Sequence, residues 1–171
     1  MIKVSEDISL EKLLISDSKK ILELVNENRG VLYYLDWVDD VRCIESAREY
    51  ISKRIQRTSL RAECYKVILN NQIIGVFNIK YICHRRSEAE IGYWLAKSAQ
   101  GFGVVSKAIA SIKEYLRDRK IKTIKISCLN KNEPGIAVIS KAGGVMIGSI
   151  KDYRVIDGMS FDLNLYEVKL Y

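Results

Sequence analysis

The chain has 171 residues, 48% of them hydrophobic and 29% charged, with a formal net charge of +7. A length in the range of roughly 100–200 residues suits one domain with a single sizeable core, here residues 1–171. No stretch approaches the roughly 18 consecutive apolar residues of a membrane span, and Lys3, Glu6 and Asp7 interrupt the N-terminus before a leader-like run can form, which excludes a helical membrane protein and reads as cytoplasmic.

Lys3 to Leu14 has the look of a strand, and Asp17 or Ser18 can cap a helix carrying Ile21, Leu22, Leu24 and Val25. An aromatic loop, Val31–Asp40, leads to a second helix with Ile44, Ala47, Tyr50, Ile51 and Ile55 on one face. The period then changes to two. "ECYKVIL" puts Tyr65, Val67 and Leu69 on one side, Asn70-Asn71 suits a tight turn because asparagine tolerates positive φ, and "QIIGVFNIKYI" returns. After the polar turn Arg85-Arg86-Ser87, "EAEIGYWL" is a third strand of the meander.

A glycine loop, Gln100–Gly103, opens an amphipathic helix whose stripe is Val105, Ala108, Ile109, Ile112, Tyr115 and Leu116. "KTIKISCL" is a strand with Ile124, Ile126 and Cys128 facing one way. Asn132 can cap a short helix with Pro134 in its first turn and Gly143 at its end. Asp157-Gly158 then joins two strands as a hairpin. The order β-α-α-β-β-β-α-β-α-β-β gives an α/β (α+β) class, a mixed and mostly antiparallel sheet of about seven strands flanked by helices. Strand Glu88–Leu95, helix Val104–Arg117 and strand Lys122–Leu129 form a β-α-β unit with parallel strands.

Cys43, Cys64, Cys83 and Cys128 are widely spaced without a C-x-x-C pair, and His84 is the one histidine, in a polar loop. That pattern supplies no metal-site spacing and reads as buried free thiols. The charge suits an acidic partner or a merely basic, soluble surface. No RNP-type motif or aromatic ladder supports a nucleic-acid reading.

A helix N-terminus with glycines before it leaves N–H groups free to meet an anion, and Gly101 and Gly103 give the backbone clearance for that. From spacing alone, a pyrophosphate cradle and a plain strand–helix turn both fit. No Gly-Lys-Ser/Thr follows, which excludes a P-loop, and the third glycine of a Rossmann unit is absent.

"AEIGYWLAKSAQGFG" resembles a strand followed by a Q/R-x-x-G-x-G/A loop, "NEPGIAVISKAGG" resembles an N-x-x-S-x-x-V-x-x-K-x-G-F segment, and "NRGVLYYLDWV" resembles an N-R-x-x-L…W-x-x-W-V aromatic loop. On these, with the element order, the whole chain resembles the GCN5-related N-acetyltransferase superfamily and its RimJ/RimL-type members. The resemblance implies acetyl-coenzyme A as cofactor, its pyrophosphate on Gln100, Gly101, Phe102, Gly103, Val104 and Val105 ahead of Ser106. It implies pantetheine contacts from Trp94, Leu95 and Asn132, and a cofactor-side position for Lys141. Transfer to a primary amine is then direct, with no covalent enzyme intermediate.

Glu90 matches the superfamily's base position on the strand that ends at the acetyl group, with a structural glutamate as the alternative and Glu88 as backup. Tyr33, Tyr34, Trp37 and Tyr50 are candidates for the acceptor wall or for core packing. The acceptor implied is a protein N-terminus, such as an acidic ribosomal protein. A polyamine or aminoglycoside acceptor, or a catalytically weak acyl-CoA-binding module, is the alternative. A homodimer would be family-typical. Gly135 stands where RimL-type chains carry a serine, so the proton donor to the thiolate is unfilled or moved, and Ser127 and Ser140 are conceivable replacements. Gly144 replaces the usual phenylalanine and Val105 a small residue.

Overall fold

The computed structural model describes residues 1–56 and 60–171. Its strands are β1 (Ile2–Lys3), β2 (Ile8–Lys12), β3 (Glu63–Leu69), β4 (Gln72–Cys83), β5 (Glu88–Leu95), β6 (Thr123–Leu129), β7 (Val145–Ile156) and β8 (Met159–Lys169). The helices are α1 (Ser18–Leu32), α2 (Ile44–Ile55), α3 (Val104–Asp118) and α4 (Glu133–Lys141). One sheet runs β1-β2-β3-β4-β5-β6-β8-β7, antiparallel except where β5 meets β6.

The first segment is two strands where the sequence suggests one, which makes eight instead of seven. Val4 N–H and Ser5 N–H both donate to the Ile8 carbonyl, at 2.9 and 3.1 Å, and that turn folds β1 back on β2. The two hairpin turns sit where their residues predict. Asn70 and Asn71 hold φ of 49° and 63°, and Asp157 and Gly158 hold 49° and 76°, the left-handed pair that matches strand twist. Neither proposed cap of α1 does that work. The Asp17 carboxylate accepts from Leu14 N–H at 2.8 Å and pairs with Lys66 at 3.0 Å, while Ser18 Oγ donates to the Ile15 carbonyl. The carboxylate thus closes the 3₁₀ turn before the helix.

Side chains alternate between two cores. One face of the sheet packs Phe77, Ile91, Ile124 and Ile126 against Ile109, Ile112 and Leu116 of α3 and Ile139 of α4. The other packs Val76 and Trp94 against Ile21 and Val25 of α1 and Ala47 and Ile51 of α2. Each such fully buried side chain contributes roughly 1.5–3 kcal/mol by removal from water. Of the cysteines, Cys64 and Cys128 are buried, but Cys43 is exposed and Cys83 half-buried; all four are free. Cys43 is exposed because it stands just before α2 rather than inside a strand.

One feature positions everything that follows. β5 and β6 are hydrogen-bonded only over Glu88–Glu90 and Thr123–Lys125. Beyond Glu90 and Lys125 the strands part, β5 continuing against β4 and β6 against β8.

Candidate active site

The glycine loop joins the parted end of β5 to α3. Gly101 and Gly103 hold φ of +85° and +72°, and a Cβ on either would meet nothing within 4 Å. The loop therefore needs glycine for its left-handed backbone, not for clearance in the empty protein. Gly103 is the N-cap of α3 and caps nothing with a side chain. The first helical bond is Lys107 N–H to the Gly103 carbonyl at 3.0 Å, so the backbone N–H groups from Gly101 to Ser106 have no acceptor among the described residues. An unpaired run of amides at a helix N-terminus is an anion site in waiting.

Two ties hold that loop still. Gln100 Nε2 donates to the Leu95 carbonyl at 3.0 Å. Lys97 N–H donates to Oδ1 of Asn28, a buried residue of α1, at 2.7 Å. Asn28 carried no signal in the sequence beyond its place in the aromatic-loop pattern.

Above the parted strands lies a cavity of about 570 Å³. Gln100, Gly101, Gly103–Ser106, Asn132, Lys141, Trp94 and Leu95 all line it. The structure thus gathers every sequence candidate for the cofactor except Phe102, whose side chain is 71% exposed. Tyr33 also lines this cavity and not the smaller one, although it was expected beside the acceptor. It stacks on Tyr34 at 4.0 Å between ring centroids.

A second cavity, of about 290 Å³, lies between β4, β6, β7 and α2. Trp37, Arg54, Asn78, Ser127, Tyr153 and Arg154 are among its walls. The two cavities share Tyr34, Leu35, Tyr93, Trp94, Asn132 and Gly135, all at the gap between the strands. Behind the shared wall, Trp94 Nε1 donates to Tyr50 Oη at 2.9 Å, and Trp37 rests on Tyr50 at 4.3 Å. Tyr50 is buried and lines neither cavity. Among the described residues Oδ1 of Asn78, buried, has no hydrogen-bond partner, which leaves a polar atom unsatisfied in the lining of this cavity.

Glu90 lies outside both linings, in the part of β5 still bonded to β6. Its carboxylate is 2.7 Å from Lys80 Nζ. Lys80 crosses Gly92, where an added Cβ would meet Lys80 Cε at 2.8 Å, and both residues line the smaller cavity. Glu90 therefore reaches that cavity through Lys80. Glu88 is further away in function. Desolvation pushes its carboxyl up, but the bonds from Arg86 at 2.7 Å and Tyr81 at 3.0 Å outweigh this and hold it below the usual carboxylate range. A carboxylate so engaged is a poor base.

Gly135 has a steric reason. A Cβ there would stand 2.7 Å from Asn132 Nδ2 and 2.9 Å from Cys128 Sγ. The Asn132 side chain is held in place because it caps α4, accepting from Gly135 N–H at 3.2 Å. Gly144 is equally closed, with Ile139 Cγ2 at 2.4 Å from an added Cβ. Of the serines considered as replacements, Ser127 lines the smaller cavity and Ser140 lines neither. The hydroxyls on the shared wall are those of Tyr34, which donates to the Lys131 carbonyl at 3.2 Å, and of Tyr93. Its neighbour Tyr33, helped by burial, pushes the Tyr34 phenol up to about 12. Burial likewise pushes the Cys128 thiol up to about 11, so it stays protonated at neutral pH. Among the described residues no cluster of His, Cys, Asp and Glu could hold a metal ion, and no helix is long and apolar enough to cross a membrane.

Residues 7–145 match the family profile described as acetyltransferase (GNAT) domain. The ribosomal-protein-serine acetyltransferase of Escherichia coli (strain K12) is 28% identical over 168 residues, which cover 96% of this chain and 94% of that one. Among solved structures, a RimL ribosomal-protein α-N-acetyltransferase in complex with coenzyme A superposes with a TM-score of 0.90 at 27% identity, over 98% of this chain and 97% of the other. A microcin self-immunity acetyltransferase in complex with acetyl-CoA and AMP superposes with a TM-score of 0.88 at 25% identity, over 98% and 94%.

Proposed function

Since the chain belongs to the acetyltransferase (GNAT) family, and so transfers an acetyl group from acetyl-CoA to an amine, we propose that its acceptor is the N-terminal amine of a protein, of the kind the ribosomal-protein relatives are named for. The observation that carries this reading is the pair of cavities meeting at one wall between the parted strands. The larger suits a long cofactor and the smaller suits the end of a peptide.

The backbone N–H groups of Gly101–Ser106 would hold the pyrophosphate, with Lys141 beside them. Trp94, Leu95 and Asn132 would guide the pantetheine arm to the shared wall. When bound, acetyl-CoA supplies a thioester carbonyl for the amine to attack. The protein's part is to orient both partners and to move two protons. Glu90 takes the amine's proton through a water molecule beside Lys80. Tyr34, one of the two phenols on the shared wall, returns a proton to the sulfur in this reading, because Gly135 offers no hydroxyl. Tyr34 and Trp37 face the acceptor, and Tyr33 flanks the cofactor. A homodimer through the edge strand β7, whose Val145, Met146, Ile147 and Val155 stand exposed, belongs to the same reading.

The experiment is a thiol-release assay with acetyl-CoA against N-terminal peptides, polyamines and aminoglycosides. Release with peptides, slowed roughly a hundredfold by Glu90→Gln, is the expected result. Turnover with small amines alone would move the acceptor to that class. Binding of acetyl-CoA with no turnover on any acceptor would leave a binding module, the reading that Gly135 favours.

A further inference from the structure

Two guanidinium groups reach the smaller cavity from different walls, Arg54 from α2 and Arg154 from β7. The Arg54 Cζ lies 3.6 Å from the Tyr50 ring centroid and 5.4 Å from that of Trp37. One of its N–H groups donates to the Tyr50 carbonyl at 3.0 Å. One N–H of Arg154 donates to the Tyr34 carbonyl at 3.1 Å. A guanidinium carries five N–H donors in a planar fork, so most of each fork is uncommitted. Among the described residues neither group has a carboxylate within salt-bridge distance.

The other charges of the cavity are already matched. Lys80 pairs with Glu90 at 2.7 Å. Glu63 pairs with Lys12 at 2.7 Å and accepts from Tyr115 Oη at 2.7 Å. Asp36 stands exposed. The uncommitted set is two cations against one anion. Aromatic rings cover the face of Arg54 and leave its edge, the geometry in which a guanidinium takes a carboxylate through two parallel bonds.

We infer that Arg54 and Arg154 form an anion clamp that selects acceptors bearing a carboxylate close to the reacting amine, such as an acidic side chain at the second or third residue of a peptide. This rests on the acyl-transfer reading above and adds to it the local chemistry that sorts acceptors.

Three peptides test it, sharing an N-terminal serine and differing only at residues two and three, which are both Glu, both Gln or both Lys. With saturating acetyl-CoA, kcat/KM from thiol release is expected to favour the Glu peptide over the Gln peptide by roughly ten- to hundredfold, mainly through KM. The Lys peptide should be poorer still. In the Arg54→Gln/Arg154→Gln double variant the Glu-to-Gln ratio should fall toward one. Lys19→Gln, which removes a charge from the exposed start of α1, should leave it intact. Equal kcat/KM for the Glu and Gln peptides overturns the clamp while leaving the acetyltransferase intact. Turnover with small amines but none of the peptides overturns the clamp and the peptide acceptor together. A ratio that persists in a double variant shown to be folded by its thermal melt overturns it too. Should the variants not fold, the unmodified protein decides. A ratio surviving 0.5 M salt supports a local clamp, and one that vanishes there means long-range steering by the net charge and overturns it.

Discussion

The larger cavity offers its occupant mostly backbone, and the smaller one mostly side chains. In the first, the decisive groups are consecutive N–H donors on a loop set by two positive-φ glycines. In the second, they are Arg54, Asn78, Tyr153 and Arg154, brought from three separate elements. Recognition through backbone tolerates change in side chains and fails when φ is disturbed. Recognition through side chains can be rewritten one residue at a time without touching the fold. On the proposed assignment, that division gives a fixed cofactor site beside an adjustable acceptor site.

The sharpest way to break the contrast is at the loop. Gly103→Val forces a β-branched residue to φ near +72° and displaces the amide run. Acetyl-CoA affinity should drop roughly a hundredfold by calorimetry, equivalent to about 2.7 kcal/mol. Phe102→Ala, one residue away on an exposed side chain, should change it less than about twofold. If Phe102→Ala proved the more damaging, the backbone account of the larger cavity would fail.

A smaller effect is expected at the shared wall. Gly135→Ser supplies the hydroxyl that RimL-type chains carry, yet its Cβ would crowd Asn132 and Cys128. Overpacking of this kind costs about 1–3 kcal/mol. Both the melting temperature and the thiol-release rate should fall. A rise in turnover would show that the wall yields and that the missing hydroxyl limits catalysis.

The smallest effect belongs to the side-chain cavity. Asn78→Leu removes the unsatisfied Oδ1 and should raise stability by about 1 kcal/mol in a denaturant titration. The acceptor's KM should rise several-fold while the Kd for acetyl-CoA stays put. Loss of stability instead would mean that Asn78 is anchored by ordered water and serves the fold.

The same contrast explains what could be read in the sequence. Asn70-Asn71, Asp157-Gly158 and the Gly101/Gly103 loop were legible because a few adjacent residues dictate φ there. The hydrophobic stripe of α3 was legible because its period is local. The break between β1 and β2 was not, since Val4 and Ser5 turn by bonding to the Ile8 carbonyl, which no side chain announces. Asn28 was visible only as part of the aromatic-loop pattern, and its use by Lys97 N–H, far along the chain, appears only in three dimensions. Arg54 and Arg154 stayed invisible for the same reason. Tyr33 and Tyr34 are adjacent in the aromatic loop, and that Tyr33 lines the larger cavity alone while Tyr34 lines both could not be read before the end of α1 was placed. Gly135 read as a lost group, whereas the packing of Asn132 and Cys128 makes it a fitted one.

Trp94 belongs to the wall common to both cavities, and its indole N–H is tied to the Tyr50 hydroxyl. Tyr50 in turn carries the Arg54 guanidinium on its ring. On the proposed assignment, a shift of the β5 end when one cavity fills would pass to the groups lining the other. The two binding events would then share a coupling free energy that acts equally in both directions: whatever affinity acetyl-CoA lends the acceptor, the acceptor lends acetyl-CoA.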